Sequence, residues 1–293
     1  MPHQRYDRTA WHTLQPDAVL TPAQRQAVYA VAPEVPSGDV EAVYLPLAAL
    51  VEPHIARQSR TFIIGIAGGV SAGKTTVARI LQALLTVWAG VPTVQILSTD
   101  GFIHPTATLE ARGLMHRKGF PESYDTAAFF DVIQAVHAGE ACEAPIYSHA
   151  TYDRLPDARL AIDGPDVLIV EGINVLQATP EQANGIRPFL DLSIYVDASE
   201  EALFTWFMHR FRRLLAAARH NPAGYLYPFT TLSEADADAR AAHVWATVNL
   251  PNLRAHIQPT RAVAELIIKK SAAHRVHTCS VRTNGPWHLY VHP

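Results

Sequence analysis

The hydrophobic pattern of this chain switches between two periods. Short continuous apolar runs occur at Thr61–Ile66 (TFIIGI), Val94–Thr99 (VQILST), Val167–Val170 (VLIV), Leu192–Val196 (LSIYV) and Ala264–Ile268 (AELII). Such runs lack polar alternation, which predicts strands buried on both faces, as in a parallel sheet. Segments with helical spacing lie between them. In the predicted helix Lys74–Trp88, the residues Val77, Ile80, Leu81, Leu84, Leu85 and Trp88 share one face. Further helices are expected at about Thr126–Ala138, Ser199–Ala218 and Ser233–Val248. Strands alternating with helices predict an α/β fold, a mostly parallel sheet flanked by helices on both faces. Residues 1–60 read as an N-terminal helical extension with loops, in which Asp39–Val51 is a helix interrupted by Pro46. Charge and glycine in Thr106–Ser123 predict a loop or mobile element. Residues 271–293 read as a tail with a hairpin around Thr283–Asn284–Gly285. The expected organisation is a single domain over 1–293, with its core at 61–270.

Composition narrows the class. The 293 residues are 48% hydrophobic and 17% charged, which excludes general disorder and allows a sizeable core. No apolar run approaches the roughly 18 residues that span a bilayer, so no membrane segment is expected. The polar start, MPHQRYDRTAWHTLQ, shows no secretory signal. Cys142 and Cys279 give neither zinc spacing nor a disulfide framework, which fits a cytoplasmic protein. A net charge of −3 predicts no strong attraction to nucleic acid or anionic membrane. Of 24 basic residues only Lys74, Lys118, Lys269 and Lys270 are lysines. In so arginine-rich a chain, a retained lysine invites a chemical reason.

The first lysine lies in one. Gly68, Gly69, Val70, Ser71, Ala72, Gly73, Lys74 and Thr75 fit GxxxxGK[ST] without mismatch, between an apolar strand and an amphipathic helix. Glycines let backbone N–H groups curl into an anion nest, and the following helix turns its positive dipole end toward it. Lys74 can reach the outer phosphates as a point charge, and the Thr75 hydroxyl can ligate Mg²⁺. Thr76 continues the candidate nucleotide site. A GTPase would need Asn-Lys-x-Asp to read guanine, and no lysine here follows an asparagine. A kinase needs a carboxylate near the γ-phosphate to orient or deprotonate the acceptor. Asp100 and Glu171 both end apolar strands, where an open parallel sheet faces its ligand. Each could instead only cap the next helix. On the helix Ser199–Ala218, the residues Leu203, Phe204, Phe207, Met208, Phe211, Leu214 and Leu215 form one apolar arc. Arg210 projects roughly 20° outside Leu203, at the arc's edge. It either pairs with an anionic ligand or lays its stem over the core.

Taken together, these pieces resemble the bacterial type I pantothenate kinases, members of the P-loop kinases. The matching blocks are YDRTAW, VYLPL, IAGGVSAGKTTVARILQALL, STDGFIHP, RGLMHRKGFPESYD, APIYSH, VLIVEGINVLQ, LSIYVDA and VNLPNL with PTRA following. They run in order over nearly the whole chain, and STDGFIHP and RKGFPESYD are far more specific than the phosphate loop. The resemblance implies a P-loop kinase core that transfers the γ-phosphate of ATP to the 4′-hydroxyl of pantothenate, the first step of coenzyme A biosynthesis. It also implies a homodimer inhibited by coenzyme A. On matching positions Asp100 would be the base, Lys74 and Arg210 would stabilise the transferring phosphoryl group, and Thr75 and Glu171 would serve Mg²⁺. Tyr147, His149, Tyr152 and Asn249 would line the acceptor pocket. Arg79 would meet coenzyme A phosphates, and His274 would stack near adenine.

Departures concentrate on the acceptor side. Phe207 stands where the family usually has tyrosine. Leu214, Arg219 and Leu226 replace aromatic residues that close over the acceptor tail, and Ala32 replaces a polar position near the nucleotide. Two other functions therefore stay open at the level of sequence. One is a related kinase acting on another small alcohol, such as a pantothenate-like compound, a nucleoside or a sugar phosphate. The other is a nucleotide-binding regulator without turnover.

Overall fold

The five apolar runs pair with one another as parallel strands. The computed structural model describes residues 2–178 and 183–291. Its N-terminal part gives strand β1 (His3–Asp7) and helices α1 (Arg8–His12), α2 (Pro22–Val31) and α3 (Leu45–Ile55). Strand β2 (Phe62–Gly68), helix α4 (Lys74–Val87) and strand β3 (Val94–Ser98) follow. Helices α5 (Thr106–Ala111) and α6 (Thr126–Ala138) lead to a hairpin of β4 (Cys142–Ser148) and β5 (Asp153–Ile162). Then come β6 (Val167–Glu171), β7 (Leu192–Asp197), α7 (Glu200–Ala218), α8 (Glu234–Val244), β8 (Leu266–Lys270) and β9 (Val276–Arg282).

The main sheet has seven strands in the order β1-β9-β8-β7-β2-β6-β3. The inner order β8-β7-β2-β6-β3 is parallel, with Ile64 of β2 opposite both Ile169 of β6 and Leu192 of β7. Every residue of β2 and β6 is buried, which is why these strands read as unbroken apolar runs. Helix α4 buries Val77, Ile80, Leu81, Leu84 and Leu85 beneath the sheet. Each such side chain contributes roughly 1.5–3 kcal/mol of apolar burial. Helix α7 starts where the Ser199 side chain accepts a hydrogen bond from Ala202 N–H, and α6 where Asp125 accepts one from Ala128 N–H.

The structure corrects four expectations. Residues 1–60 are not only helix and loop, because β1 joins the main sheet antiparallel to β9. The C-terminal reversal lies at Ser271–Arg275, not at Thr283–Gly285. Val276 pairs directly with Lys270, and Ser271 N–H donates to Arg275 O at 2.8 Å. Residues 283–285 lead instead into a short 3₁₀ turn, Pro286–Tyr290, and the last residues of the predicted tail, 292–293, lie outside the described ones. Pro46 does not interrupt the helix: a π-helical turn, Val40–Tyr44, passes directly into α3, and Pro46 sits at that junction, where the widened turn accommodates it. Thr106–Ser123 holds α5 and two 3₁₀ turns rather than loop alone.

The β4–β5 hairpin escaped the pattern reading because it carries Pro145, Pro156 and charged residues on half-exposed strands. It positions the site through one close approach. A methyl group added at Gly101 would collide with the backbone carbonyl of Pro145 in β4. Gly101→Ala is therefore expected to displace the hairpin, lowering stability by about 1–3 kcal/mol. Thermal melts check this. Both cysteines are free, and no described helix is long and apolar enough to cross a membrane.

Candidate active site

The C-terminal ends of the parallel strands converge on one cleft, where an open α/β sheet binds its ligand. Strand β2 runs straight into the phosphate loop. Gly73, at φ 88°, turns the chain left-handed just before α4. Glycine takes that conformation without strain, and the loop N–H groups can turn inward. Lys74 is only 9% exposed, and its Nζ donates to Gly69 O at 3.0 Å. Burial lowers its pKa, opposed by the charges of Glu171 and Asp100. A second lysine braces the loop from below: Lys270 Nζ donates to Ala72 O at 3.1 Å. Burial pushes its pKa down to about 8. Thr76 Oγ1 donates to Glu34 at 2.9 Å, tying α4 to the N-terminal part.

Neither strand-end carboxylate caps a helix. Glu171, the last residue of β6, is buried and accepts a hydrogen bond from Thr75 Oγ1 at 3.1 Å. Burial raises its pKa, opposed mainly by Lys74. Asp100 follows β3 in the 3₁₀ turn Thr99–Phe102 and makes no capping bond there. Its Oδ2 lies 3.7 Å from His149 Nε2. Burial lowers the His149 pKa, Asp100 raises it and Arg210 lowers it again.

The hairpin supplies the opposite wall. Tyr147 and His149 meet edge to face at 5.4 Å, and Tyr147 lies 6.2 Å from Tyr152. Tyr152 stacks on Tyr225 at 4.4 Å. Burial raises the Tyr147 pKa well above the ordinary phenol range and pushes Tyr152 up to about 12. The third wall is α7. Its apolar arc is a pocket lining rather than core alone: Phe207, Phe211 and Leu214 border the cleft, and Leu214 is exposed. The deepest residues of α7 include Trp206, which the arc omitted. Arg210 borders the cleft beside them, with no hydrogen bond or ion pair to any described residue. Asn249 completes the lining where α8 passes into a π-helical turn, Trp245–Asn249. The helix expected over Ser233–Val248 thus remains α-helical only to Val244.

One cavity of about 370 Å³ brings together Ser71, Lys74, Thr75, Asp100, Tyr147, His149, Tyr152, Glu171, Phe207, Arg210 and Asn249. Arg79 and His274 lie outside it. Arg79 points away on the exposed face of α4. His274, at φ 62° in the β8–β9 turn, stacks on Trp206 at 4.0 Å. A larger cavity of about 450 Å³, lined mainly by Phe129, Phe130, Val175 and Ile186, gathers none of the predicted residues.

The sequence reading missed several lining groups. Lys118 is buried, with its Nζ donating to Tyr152 O and to Thr106 Oγ1 and lying 4.0 Å from the Tyr152 ring centroid. Its signal was available, as one of four lysines inside RKGFPESYD. Tyr124 lies in the same block and Asn252 in VNLPNL, but nothing in their residue type or spacing singled them out within those blocks. The Tyr124 hydroxyl, Asn252 Oδ1 and Ser71 Oγ are buried without a partner among the described residues, and all three residues line this cavity. Buried polar atoms are rarely left unpaired, so a polar ligand is the natural partner for such a cluster.

Comparison with known proteins agrees. Residues 63–213 match the Phosphoribulokinase / Uridine kinase family. The chain is 40% identical over 305 aligned residues to a pantothenate kinase of Rhodopseudomonas palustris, covering 96% of each chain. It is 43% identical over 268 residues to a pantothenate kinase of Bacillus velezensis, covering 83% of this chain and 84% of that one. Among solved structures, the YGR205w protein superposes with a TM-score of 0.60 at 11% identity, covering 84% of this chain and 99% of its own. YFH7 from Saccharomyces cerevisiae does so with 0.52 at 14% identity, covering 75% and 96%. These last two likenesses concern the fold alone. With a phosphate loop at the head of a parallel sheet and relatives of this identity along almost its whole length, the chain belongs to the pantothenate kinase family of P-loop kinases.

Proposed function

We propose that this protein transfers the γ-phosphate of ATP to the 4′-hydroxyl of pantothenate. The observation that carries this reading is the shared cavity. An uncapped strand-end carboxylate, Asp100, faces the phosphate-loop lysine on one side and a ring-lined acceptor wall on the other. The loop amides and Lys74 hold the phosphates. Asp100 accepts the proton of the acceptor hydroxyl, whose oxygen forms a new bond to the γ-phosphorus. The bond to the β–γ bridging oxygen breaks, and ADP leaves. Lys74 and Arg210 offset the charge that spreads over the transferring group. His149, beside Asp100, orients the carboxylate.

The Thr75–Glu171 pair fits Mg²⁺. This ion keeps several waters and takes few protein oxygens besides nucleotide phosphates, so the absence of a larger acidic cluster among the described residues is no obstacle. When bound, Mg²⁺ supplies charge neutralisation at the β- and γ-phosphates. Thr75 Oγ1 would hold it directly and Glu171 would hold its waters. On the same reading Arg79 and the Trp206-stacked His274 would meet coenzyme A as a feedback inhibitor of a cytoplasmic homodimer; these assignments rest on the resemblance.

The test is purified protein with Mg·ATP and a panel of pantothenate, pantetheine, uridine and ribulose 5-phosphate. ADP release dependent on pantothenate supports the reading. Turnover with uridine or ribulose 5-phosphate alone overturns it in favour of a related kinase, and no turnover despite tight ATP binding favours a regulator. Retention of Asp100 beside Lys74 and Arg210 argues against the regulator, since nucleotide binding needs no base. Phe207 is the observation that favours a different acceptor. It lines the cavity 5.5 Å from Trp245, with no hydroxyl to offer. Phe207→Tyr is expected to lower the pantothenate KM by up to about tenfold, the worth of one well-placed hydrogen bond. An unchanged or raised KM in steady-state assays would mean that the pocket is built around something else.

A further inference from the structure

The cavity has a second cationic end. Arg240 lies on α8 and lines the same cavity as Asp100, with its guanidinium 4.6 Å from the centroid of the Phe229 ring. The acids near it are engaged elsewhere. Asp236, one helical turn earlier, accepts a hydrogen bond from Ser233 Oγ at 2.7 Å. Asp238 pairs with Arg212 at 2.6 Å. No described carboxylate lies within ion-pair distance of Arg240, and its fork keeps its donors. The other cations of the cavity sit near the reacting end: Lys74 and Arg210 by the phosphate loop, and Lys118 held by Tyr152 O and Thr106. Along α8 and the π-helical turn after it, the lining residues Arg240, Val244 and Val248 recur every four residues, with Asn249 and Asn252 beyond them, and Leu214 and Leu226 add further apolar lining.

This layout is an asymmetric acceptor tray. A hydroxyl is needed at the reacting end, the methyl and methylene groups of the body suit the apolar lining, and a planar five-donor cation waits beyond them. We propose that Arg240 reads a carboxylate at the acceptor end remote from the reacting hydroxyl, making it a specificity residue for an anionic alcohol. The proposal rests on the pantothenate reading above, because pantothenate carries its only charge there. Arginine suits the task, since its fork matches a carboxylate with two parallel hydrogen bonds. Phe229 holds the guanidinium in place by its π-face, which reduces the ordering cost of binding. It also supplies anchoring in a pocket where Phe207 offers none.

The experiment compares pantothenate with pantetheine, whose amide replaces the carboxylate, in wild type, Arg240→Gln and Arg240→Glu. Charge-assisted recognition predicts that Arg240→Gln raises the pantothenate KM about tenfold or more. The pantetheine KM and the KM for Mg·ATP should stay unchanged, and Arg240→Glu should widen the gap between the two acceptors further. Arg240 is exposed, so both variants should melt as wild type does, and melts verify it. Equal losses for both acceptors, or no loss for either, would overturn the assignment while leaving the pantothenate reading intact. A wild-type enzyme that ignores pantothenate would overturn both.

Discussion

Asp100→Asn is expected to lower kcat by about 10²–10⁴-fold, the usual contribution of a positioned general base. The amide keeps the shape of the side chain and cannot take the proton. Its ATP affinity should be nearly unchanged, because on the proposed reading Lys74, Thr75 and the loop amides hold the phosphates without it. Removing the negative charge also removes the one influence that raises the His149 pKa, so that histidine should titrate lower still in the variant. Single-turnover kinetics with ATP binding measured in parallel separates the two effects. An active variant would move the base to another residue. A variant that loses ATP binding as well would make Asp100 part of the nucleotide site.

Arg210→Ala should cost about 10²–10³-fold in kcat/KM, as expected for loss of a preorganised charge at the transferring group. Its thermal stability should barely change. Arg210 has no partner among the described residues, so its removal strands no buried acid. An arginine whose stem merely covered the core would behave oppositely, with lower stability and intact turnover. The pair of readouts decides between the two roles that the sequence alone left open. Placing lysine at this position, as Arg210→Lys, should recover only part of the rate, since a point charge cannot reproduce the fork.

The parallel core was legible because burial on both faces forces continuous apolar runs, and each of the five predicted strands is present to within a few residues. The phosphate loop was legible because few residue types satisfy its backbone. Elements at the sheet edge were not. Strand β1, HQRYD, buries only Tyr6, and the hairpin strands β4 and β5 are half exposed. Their pairing is set by tertiary context, which leaves little periodicity to read. The same limit applied to the cavity. Asp100, Glu171 and Lys74 announced themselves through strand ends and a motif. Tyr124, Asn252 and Arg240 reach the cleft only because the fold brings distant segments to one place, and Lys270 meets the phosphate loop from β8 for the same reason. On α7, an apolar arc signalled core, and the structure turns part of it toward the cleft instead. Arg210, at the edge of that arc, borders the same cleft without a partner among the described residues.

The central claim is that the phosphoryl group moves from ATP to the 4′-hydroxyl of pantothenate. The most direct measurement is identification of the product by ³¹P NMR and mass spectrometry after incubation with Mg·ATP and pantothenate. A single monophosphate ester on the 4′-oxygen is expected, formed in step with ADP and about 10²–10⁴-fold more slowly with Asp100→Asn. ADP formed without phosphorylated pantothenate, or pantothenate recovered unchanged while another alcohol is phosphorylated, would contradict it.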